Sequence, residues 1–429
     1  MSAGTFAGLG VEPRFISRLE DRGIRTPTDI QARVIPELLE GRSTAFCSAT
    51  GTGKTFAYLI PLFQRLFFGG APAFGAASEA ASLAAPKTEP RAGRNMGPAV
   101  LILAPTYELC SQIKAEAEFL LQGLEPGRSD LPGLPDAPVP SAGLFTGAGS
   151  LRRQIEALKK DRPAVVVGNP GRILLLAGMG KLRFGALRSL VFDEGDRLVA
   201  EDLRGETLEL LKLITGARKG GGCATDLVCA ACSATMTAKS REPLLPFMGE
   251  DLMIIETAEQ EILRDRIQHW AIWSEGRRKI ETLRSFLAAV KPKKALVFSG
   301  RSWDAEKIAS RLHHLSAAAL YGGMEKNRRR DTIGGFRLGK IAVLVSSDLA
   351  ARGLDIPGIS HVIALDVPQD AEAYTHRAGR TGRAGKRGIM VSIGDEVEMR
   401  RLAQLEKRLG LTVYPKELYQ GQLITPAVE

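Results

Sequence analysis

Short apolar runs recur along the chain and alternate with amphipathic stretches of helical period. Runs of this kind, bounded by Gly, Pro, Asp or Ser, are typical of strands buried on both faces of a sheet. They are STAFCSA, AVLILAP, PAVVVGNP, LRSLVFDE and DLVCAACSA in the first part, and KALVFSG, SAAALYGG, IAVLVSSD, HVIALDVP and GIMVSIGD in the second. SLRRQIEALKKD and SWDAEKIASRLHHL predict intervening helices. The pattern predicts an α/β protein with mostly parallel sheets and helices on both faces.

The two sets of strands predict two domains, because a chain of 429 residues exceeds what one hydrophobic core normally serves. The polar stretch ETAEQEILRD separates the sets. We therefore expect an N-terminal domain at residues 1–257, a linker at 258–265 and a C-terminal domain at 266–429. Residues 69–98 and 122–140 are rich in Gly, Pro or Ala and predict surface insertions.

Composition narrows the class of protein. The chain is 44% hydrophobic and 25% charged, as in ordinary globular proteins, and it shows neither a membrane span nor a secretory signal. Its net charge of +10 favours a polyanionic partner such as nucleic acid, although solubility accounts for such a surplus equally well. The C-x-x-C pair Cys229 and Cys232 lacks the further ligands of a zinc site, which indicates buried free thiols in a reducing cytoplasm.

The segment FCSATGTGKTFAYLIP has the features of a phosphate-binding loop between a strand and a helix. Its glycines let backbone N–H groups surround phosphate oxygens, Lys54 can reach the β- and γ-phosphates, and the Thr55 hydroxyl can bind magnesium. Ser48 stands where the strict pattern has its first glycine. A Gly-rich turn is the alternative, which the placement between strand and helix disfavours. Such a loop alone leaves a kinase, a GTPase, a transporter motor and a helicase open.

The segment VFDEGDRL places acidic residues at the end of a predicted buried strand. If the first domain binds a magnesium nucleotide, Asp193 is the natural residue to hold the metal, and Glu194 can polarise the attacking water. A solvated acidic turn explains the segment equally well when it is taken alone.

Several short motifs occur in a fixed order, and together they resemble those of one family. They are GIRTPTDIQ, TGTGKT, DEGD, SAT, ARGLD and HRAGRTGR. The set resembles the DEAD-box family of ATP-dependent RNA helicases of superfamily 2, with DEGD as a variant of the acidic motif. The resemblance covers nearly the whole chain. It implies two RecA-like domains joined by a short linker, each with a mostly parallel sheet and helices on both faces.

The resemblance implies a site for ATP and Mg²⁺. Gln31 matches the glutamine that reads the adenine edge, Asp193 matches the residue that holds magnesium largely through water, and Glu194 matches the general base. The implied nucleotide contacts are Phe6, Gln31, Thr50, Gly51, Thr52, Gly53, Lys54, Thr55 and Asp355. The implied catalytic residues are Lys54, Thr55, Asp193, Glu194 and the arginine fingers Arg380 and Arg383, and the implied metal ligands are Thr55 and Asp193.

The resemblance also implies RNA contacts and a route that couples them to hydrolysis. The implied coupling residues are Asp196, Ser233, Thr235 and His376. The implied RNA contacts are Pro105, Thr106, Glu108, Pro170, Gly171, Arg172, Ser299, Arg301, Arg329 and Ser347. Because these contacts are mainly to phosphate and sugar, binding should be weakly sequence-specific and sensitive to salt.

Several positions depart from the family pattern without removing a group that performs chemistry. The departures are Tyr107 for Arg, Ala148 for Gly, Asn169 for Thr, Gly195 for Ala, Lys326 for Gln and Ser347 for Thr. Most lie in RNA-facing motifs, so we hypothesise intact ATP hydrolysis with an altered grip on RNA or altered coupling.

The resemblance implies an RNA-stimulated ATPase that unwinds short RNA duplexes or remodels RNA–protein complexes. One rival function is an ATP-gated RNA clamp that unwinds little, and another is a DNA helicase of the same superfamily. An unrelated phosphate-loop kinase would leave the motifs of the second domain unexplained. We expect a cytoplasmic monomer without membrane contact, directed to its RNA by a partner protein or by its insertions.

Overall fold

The computed structural model describes most of the chain. The described residues are 4–48, 52–68, 97–124, 140–217, 227–233, 241–248, 252–256, 263, 265–300, 302–351, 356–382 and 386–426. The chain divides into two compact units, with the division between Thr257 and Ala258. The expected linker at 258–265 lies almost entirely outside the described residues, so the domain boundaries stay a prediction.

The first unit contains a seven-stranded sheet of order β3-β4-β2-β5-β6-β1-β7 in which the neighbouring strands pair in parallel. Its strands are β1 Thr44–Cys47, β2 Val100–Leu103, β3 Ala142–Phe145, β4 Val165–Gly168, β5 Ser189–Asp193, β6 Val228–Ser233 and β7 Met253–Glu256. Its helices are α1 Pro13–Asp21, α2 Asp29–Leu39, α3 Lys54–Phe68, α4 Tyr107–Leu121, α5 Leu151–Asp161, α6 Pro170–Gly178, α7 Gly195–Leu198, α8 Glu201–Ala217 and α9 Leu245–Met248.

Alternate residues of the strands face two separate apolar clusters, one on each side of this sheet. In β5, Val191 belongs to the cluster with α1 to α4, whereas Leu190 and Phe192 belong to the cluster with α6 and α8. All three side chains are buried. A strand that is apolar at consecutive positions is therefore explained by helices packed on both faces.

The second unit contains an eight-stranded sheet of order β10-β11-β9-β12-β13-β8-β14-β15, parallel except for the antiparallel β14–β15 pair. Its strands are β8 Ile267–Trp273, β9 Ala295–Phe298, β10 Ala317–Leu320, β11 Val343–Ser346, β12 His361–Ala364, β13 Gly388–Gly394, β14 Val413–Tyr419 and β15 Gln422–Ile424. Its helices are α10 Lys279–Val290, α11 Ser302–Arg311, α12 Lys326–Arg337, α13 Asp348–Ala351, α14 Ala371–Ala378 and α15 Glu396–Leu409.

The structure confirms the predicted fold class of two α/β units with mostly parallel sheets. Each of the apolar runs expected to form a strand contains one, and the two expected helices are α5 and α11. The structure adds β3, β7, β8, β14 and β15, which the apolar runs did not indicate. The expected insertions at 69–98 and 122–140 lie mostly outside the described residues.

The cysteines that the structure describes agree with the expectation of buried thiols. Cys47, Cys110, Cys229 and Cys232 are buried and form no disulfide with one another, and Cys223 lies outside the described residues. Among the helices that the structure describes, none combines the length and the apolar character that a membrane crossing requires.

His361, at the start of β12, makes the second unit sensitive to acid. Its ring packs edge-on against Trp270 and Phe286, and burial lowers its pKa from 6.5 to about 4. Between these pH values His361 binds a proton in the unfolded chain but not in the folded chain. The free energy of unfolding should therefore fall by about 2–3 kcal/mol as the pH drops from 6.5 to 4.

Tryptophan fluorescence during urea unfolding measures this loss, because all three tryptophans lie in the second unit. His361→Phe should flatten the dependence over this pH range. His269, whose pKa burial also lowers, remains in the variant and leaves a residual slope of the same sign. A variant that follows the wild-type curve would contradict the assignment to His361.

Candidate nucleotide and nucleic-acid site

The loops that carry the sequence motifs of the first unit share one edge of its sheet. Strands β5, β6 and β1 are neighbours, with Asp193 opposite Cys232 and Cys47 opposite Ser233 in the parallel register. Ligands of open parallel sheets bind outside the carboxyl ends of the strands. The phosphate loop after β1 and the acidic motif after β5 therefore flank the end of β6.

In the described part of the phosphate loop, a lysine side chain is hydrogen-bonded to the backbone of the preceding strand end. The Lys54 ammonium, at the start of α3, donates to the Ser48 carbonyl at 2.7 Å. Gly53 has a φ of 91°, and a Cβ at this position would stand 2.4 Å from the Gln31 amide nitrogen. Only glycine fits that conformation and that contact. Thr52 and Thr55 are partly buried, and Thr50 and Gly51 lie outside the described residues.

Gln31 connects the start of α2 to the phosphate loop. Its Oε1 accepts from the Thr28 backbone N–H at 3.0 Å, and Thr28 Oγ1 accepts from the Gln31 N–H at 3.4 Å, forming a capping box. The Gln31 Nε2 donates to the Gly53 carbonyl at 3.1 Å. Phe6, another implied nucleotide contact from the N-terminal segment, is 1% exposed and belongs to the apolar cluster of α1 to α4.

The Asp193 carboxylate, at the end of β5, is buried among hydrogen-bond donors. Its Oδ2 accepts from the Tyr58 hydroxyl at 2.8 Å, and its Oδ1 accepts from the Cys232 thiol at 3.1 Å and the Glu194 N–H at 2.9 Å. Burial, followed by the charge of Asp193, raises the pKa of both Tyr58 and Cys232 well above their usual values. Both groups therefore stay protonated at neutral pH and keep donating.

The acidic motif turns sharply after Asp193. Glu194 has a φ of 52°, a left-handed conformation that a non-glycine residue adopts at some cost, and it precedes the short helix α7. Its side chain is half-buried, whereas Asp196 is buried and accepts from the Arg197 N–H at 2.9 Å. Ser233 is buried at the end of β6, and Thr235 lies outside the described residues.

Gly195, the first residue of α7, has room for a methyl group. A Cβ there would lie 3.6 Å from Leu244 Cδ1, 3.7 Å from Phe192 Cβ and 3.8 Å from the Cys232 carbonyl, all ordinary contacts. Gly195→Ala should therefore raise the free energy of unfolding of the first unit by about 0.5–1 kcal/mol, since alanine loses less backbone entropy in a helix. Calorimetry measures the gain. ATP hydrolysis by this variant should persist, and its coupling to RNA binding should be unchanged or tighter. Loss of hydrolysis would contradict this prediction.

The implied RNA contacts of the first unit lie in two segments at the same sheet edge, which follow β2 and β4 and begin α4 and α6. Thr106 caps α4 by accepting from the Leu109 N–H at 3.3 Å, with Pro105 and Glu108 partly buried beside it. Arg172, in α6, donates to the Gly149 carbonyl at 3.1 Å and to Gln154 Oε1 at 2.8 Å. Arg172 therefore organises the preceding glycine-containing loop. Pro170 is buried and Gly171 partly buried at the start of α6.

The described implied site residues of the second unit lie in or just after α14, at the ends of β9 and β11, and in α12. Arg380 is buried, and its Nε donates to the His376 carbonyl at 3.3 Å. Ser299 and Ser347 are buried, and Arg329 donates to the Ala350 carbonyl at 3.1 Å. The Ser347 hydroxyl has no hydrogen-bond partner among the residues that the structure describes. The remaining implied residues, Arg301, Asp355 and Arg383, lie outside the described residues.

Arg377 joins α14 to two strand ends through a bidentate ion pair. Its Nε and one terminal nitrogen donate to the two Asp348 oxygens at 2.7 and 2.6 Å. The same side chain donates to the Asp366 carbonyl at 2.7 Å and to Asp366 Oδ2 at 3.1 Å. The Arg377 side chain is 4% exposed. Sequence reasoning missed this residue, because its acidic partners are distant in the chain.

Two family models match this chain. Residues 28–243 match the family model of the DEAD/DEAH box helicases, and residues 278–385 match that of the helicase conserved C-terminal domain. A DEAD-box ATP-dependent RNA helicase, CshC of Bacillus cereus, is 32% identical over 417 residues, which cover 96% of this chain and 94% of the relative.

Two solved structures are similar in fold across the chain. Saccharomyces cerevisiae Dbp5, bound to RNA and ADP BeF3, superposes with a TM-score of 0.75 at 22% identity and covers 96% of this chain and 95% of its own. Mss116p, bound to ssRNA and AMP-PNP, superposes with a TM-score of 0.78 at 22% identity and covers 96% of this chain and 78% of its own. At these identities the likeness concerns the fold.

Proposed function

The chain belongs to the DEAD-box family of ATP-dependent RNA helicases, and from this membership we propose that its ATP site lies at the carboxyl edge of β1, β5 and β6. The protein is an RNA helicase that hydrolyses ATP. The observation that carries the proposed site is the buried Asp193 carboxylate at the end of β5, which one strand, β6, separates from β1 and the loop that presents Lys54. In this proposal DEGD serves as the family's acidic motif.

The residues at this edge fit a magnesium ion. Asp193 offers a carboxylate and Thr55 a hydroxyl, and Mg²⁺ prefers oxygen ligands. Among the described residues there is no cluster of three or more His, Cys, Asp or Glu side chains that could enclose a metal. Mg²⁺ suits so sparse a set, because it commonly keeps several waters and binds through one or two carboxylates and the phosphates of a nucleotide. When bound, it would neutralise negative charge on the β- and γ-phosphates.

The remaining chemistry falls to side chains of this chain. Lys54 binds phosphate oxygens. Glu194 accepts a proton from the attacking water, and its half-buried side chain is accessible to that water. Arg380 and Arg383 supply guanidinium charge to the transferring phosphate. Gln31 reads the adenine edge while Asp355 contacts the ribose, and Asp196, Ser233, Thr235 and His376 couple hydrolysis to RNA binding.

RNA contacts come from loops at the carboxyl edges of both sheets. The buried Ser347 hydroxyl, which has no hydrogen-bond partner in the described part of the chain, supports this proposal, since a buried donor without a partner is costly unless a ligand engages it. Arg172 contributes by holding its neighbouring loop in place as well as by its charge. The contacts are mainly to phosphate and sugar, so they carry little sequence information.

Tyr107 is the departure with the clearest expected effect on RNA. It is 46% exposed at the first turn of α4, where an arginine could form a fork to phosphate that tyrosine cannot. Tyr107→Arg should tighten RNA binding by about tenfold at low salt and steepen its salt dependence, since one more phosphate contact is worth about one unit of slope. Fluorescence anisotropy measures both quantities. Unchanged RNA affinity and unchanged RNA stimulation of hydrolysis would show that Tyr107 does not face RNA.

A strand-displacement assay tests the proposed function as a whole. We expect ATP-dependent separation of a short RNA duplex, with hydrolysis stimulated more by single-stranded RNA than by DNA of the same sequence. ATP-dependent binding without displacement would favour the clamp instead. Stronger stimulation by DNA would favour a DNA helicase.

A further inference from the structure

Tyr58 and Cys232 hold the carboxylate at the centre of the proposed site from two different elements. Tyr58 lies in the second turn of α3, downstream of the phosphate loop, and Cys232 lies near the end of β6, directly opposite Asp193 in the sheet. Both side chains are fully buried in the core of the first unit. Neither belongs to the motifs that identify the family.

The hydrogen-bond donors around Asp193 determine where on its carboxylate a ligand can bind. Each carboxylate oxygen can accept about two hydrogen bonds. Oδ1 takes two from the described residues, the Cys232 thiol and the Glu194 N–H, whereas Oδ2 takes one, from the Tyr58 hydroxyl. With respect to the described residues, one acceptor position on Oδ2 is therefore open, and Oδ1 is saturated.

Tyr58 also lies close in the chain to Thr55, the second oxygen of the proposed metal set, three residues further along the same helix. The phenol therefore links α3, which presents Thr55 in its first turn, to the carboxylate at the end of β5. Removing the phenol oxygen would release the Asp193 carboxylate from α3.

From this geometry we propose that Tyr58, assisted by Cys232, is a positioning residue that fixes Asp193 for the magnesium nucleotide before it binds. The inference rests on the proposed placement of that nucleotide at Asp193. A carboxylate held by neighbouring donors needs no reordering when a metal arrives, and losing such partners typically weakens metal binding about tenfold or more.

The test follows the binding of a fluorescently labelled ATP to the full chain as MgCl₂ is raised, without measuring hydrolysis. Tyr58→Phe removes one oxygen and should raise the Mg²⁺ concentration at half-maximal binding by about tenfold. Binding in excess EDTA should not change. An unchanged Mg²⁺ midpoint overturns the inference, and so does a lower one, because that would mean the phenol competes with the metal.

Cys232 provides a second, independent pair of variants. Cys232→Ala removes the thiol donor and should raise the midpoint by about two- to threefold, since a thiol is a weak donor. Cys232→Ser restores a hydroxyl donor and should return the midpoint towards the wild-type value. If alanine and serine give the same midpoint, the thiol does not position Asp193.

Two further variants separate this inference from the proposed function and from general destabilisation. Asp193→Asn should abolish the effect of Mg²⁺ on binding, and if it does not, the proposed metal site itself is wrong. If Asp193→Asn abolishes the effect of Mg²⁺ on binding and Tyr58→Phe leaves the Mg²⁺ midpoint unchanged, only the positioning role of Tyr58 is wrong. Tyr374→Phe is the matched control, because its buried hydroxyl bonds to His269 Nδ1 at 2.8 Å in the second unit. It should lower the melting temperature without moving the Mg²⁺ midpoint.

Discussion

Glu194→Gln is expected to lower the rate of ATP hydrolysis by about a thousandfold, within the usual contribution of a general base. Glutamine keeps the size and the hydrogen-bonding oxygen of glutamate but cannot take up a proton at neutral pH. ATP binding and ATP-dependent RNA binding should persist, because Lys54, Asp193 and the adenine contact are unchanged. Steady-state phosphate release measures the loss, and anisotropy of a labelled RNA measures what is retained.

The control for Glu194 is another glutamate of the same unit. Glu201, exposed in the first turn of α8, is close in sequence but has no proposed role, and Glu201→Gln should hydrolyse ATP at the wild-type rate. Hydrolysis by Glu194→Gln within tenfold of wild type would exclude Glu194 as the base. The proton of the attacking water would then pass to another group through a second water molecule.

Arg377→Met is expected to destabilise the second unit by about 3–5 kcal/mol, the usual cost of removing one partner from a buried ion pair. The guanidinium satisfies both oxygens of Asp348 and two oxygens of Asp366, and methionine would leave them without that partner. Asp366 Oδ1 is already buried without a partner among the described residues, so the site has little capacity to compensate. Tryptophan fluorescence in urea reports the change.

Arg400→Met is the matched control for Arg377→Met. Arg400 pairs with Glu396 on the surface of α15, with side chains 76% and 68% exposed, and exposed pairs of this kind contribute less than about 1 kcal/mol. A loss at Arg377 no larger than that at Arg400 would mean that the two aspartates rehydrate when the guanidinium is removed. Such an outcome would contradict the structural role assigned here.

The strands that sequence reasoning found and those that it missed differ in burial. Except for β10, which lies at an edge of its sheet, each strand that the apolar runs indicated is buried along nearly its whole length, so its residues are continuously apolar. In contrast, β14 lies near the edge of its sheet and alternates partly buried with exposed positions, and β8 combines a buried His269 with an exposed Trp273. Edge strands need only one apolar face, and their short patterns resemble those of loops.

The candidate site shows a similar division between what local sequence encodes and what it does not. Short motifs singled out Asp193 and Lys54 as candidates, because the patterns that predict their roles are formed with neighbours in the chain. Tyr58 and Cys232 lie in apolar runs, where periodicity indicates only core packing. The polar tip of a buried tyrosine becomes visible as a donor only when its partner, 135 positions away, is known. Arg377 was hidden for the related reason that a basic run predicts solvent or RNA contacts.

The Gln31 side chain, part of the capping box at the start of α2, has two structural roles. The Gln31 oxygen closes the first turn of α2, and its nitrogen holds the phosphate loop through the Gly53 carbonyl. A mutation to leucine would lose both, and a mutation to glutamate would keep the acceptor and lose the donor. Selection therefore cannot adjust the proposed base recognition at this position independently of helix initiation. Evolutionary change in nucleotide preference is instead expected to begin at other positions around the base.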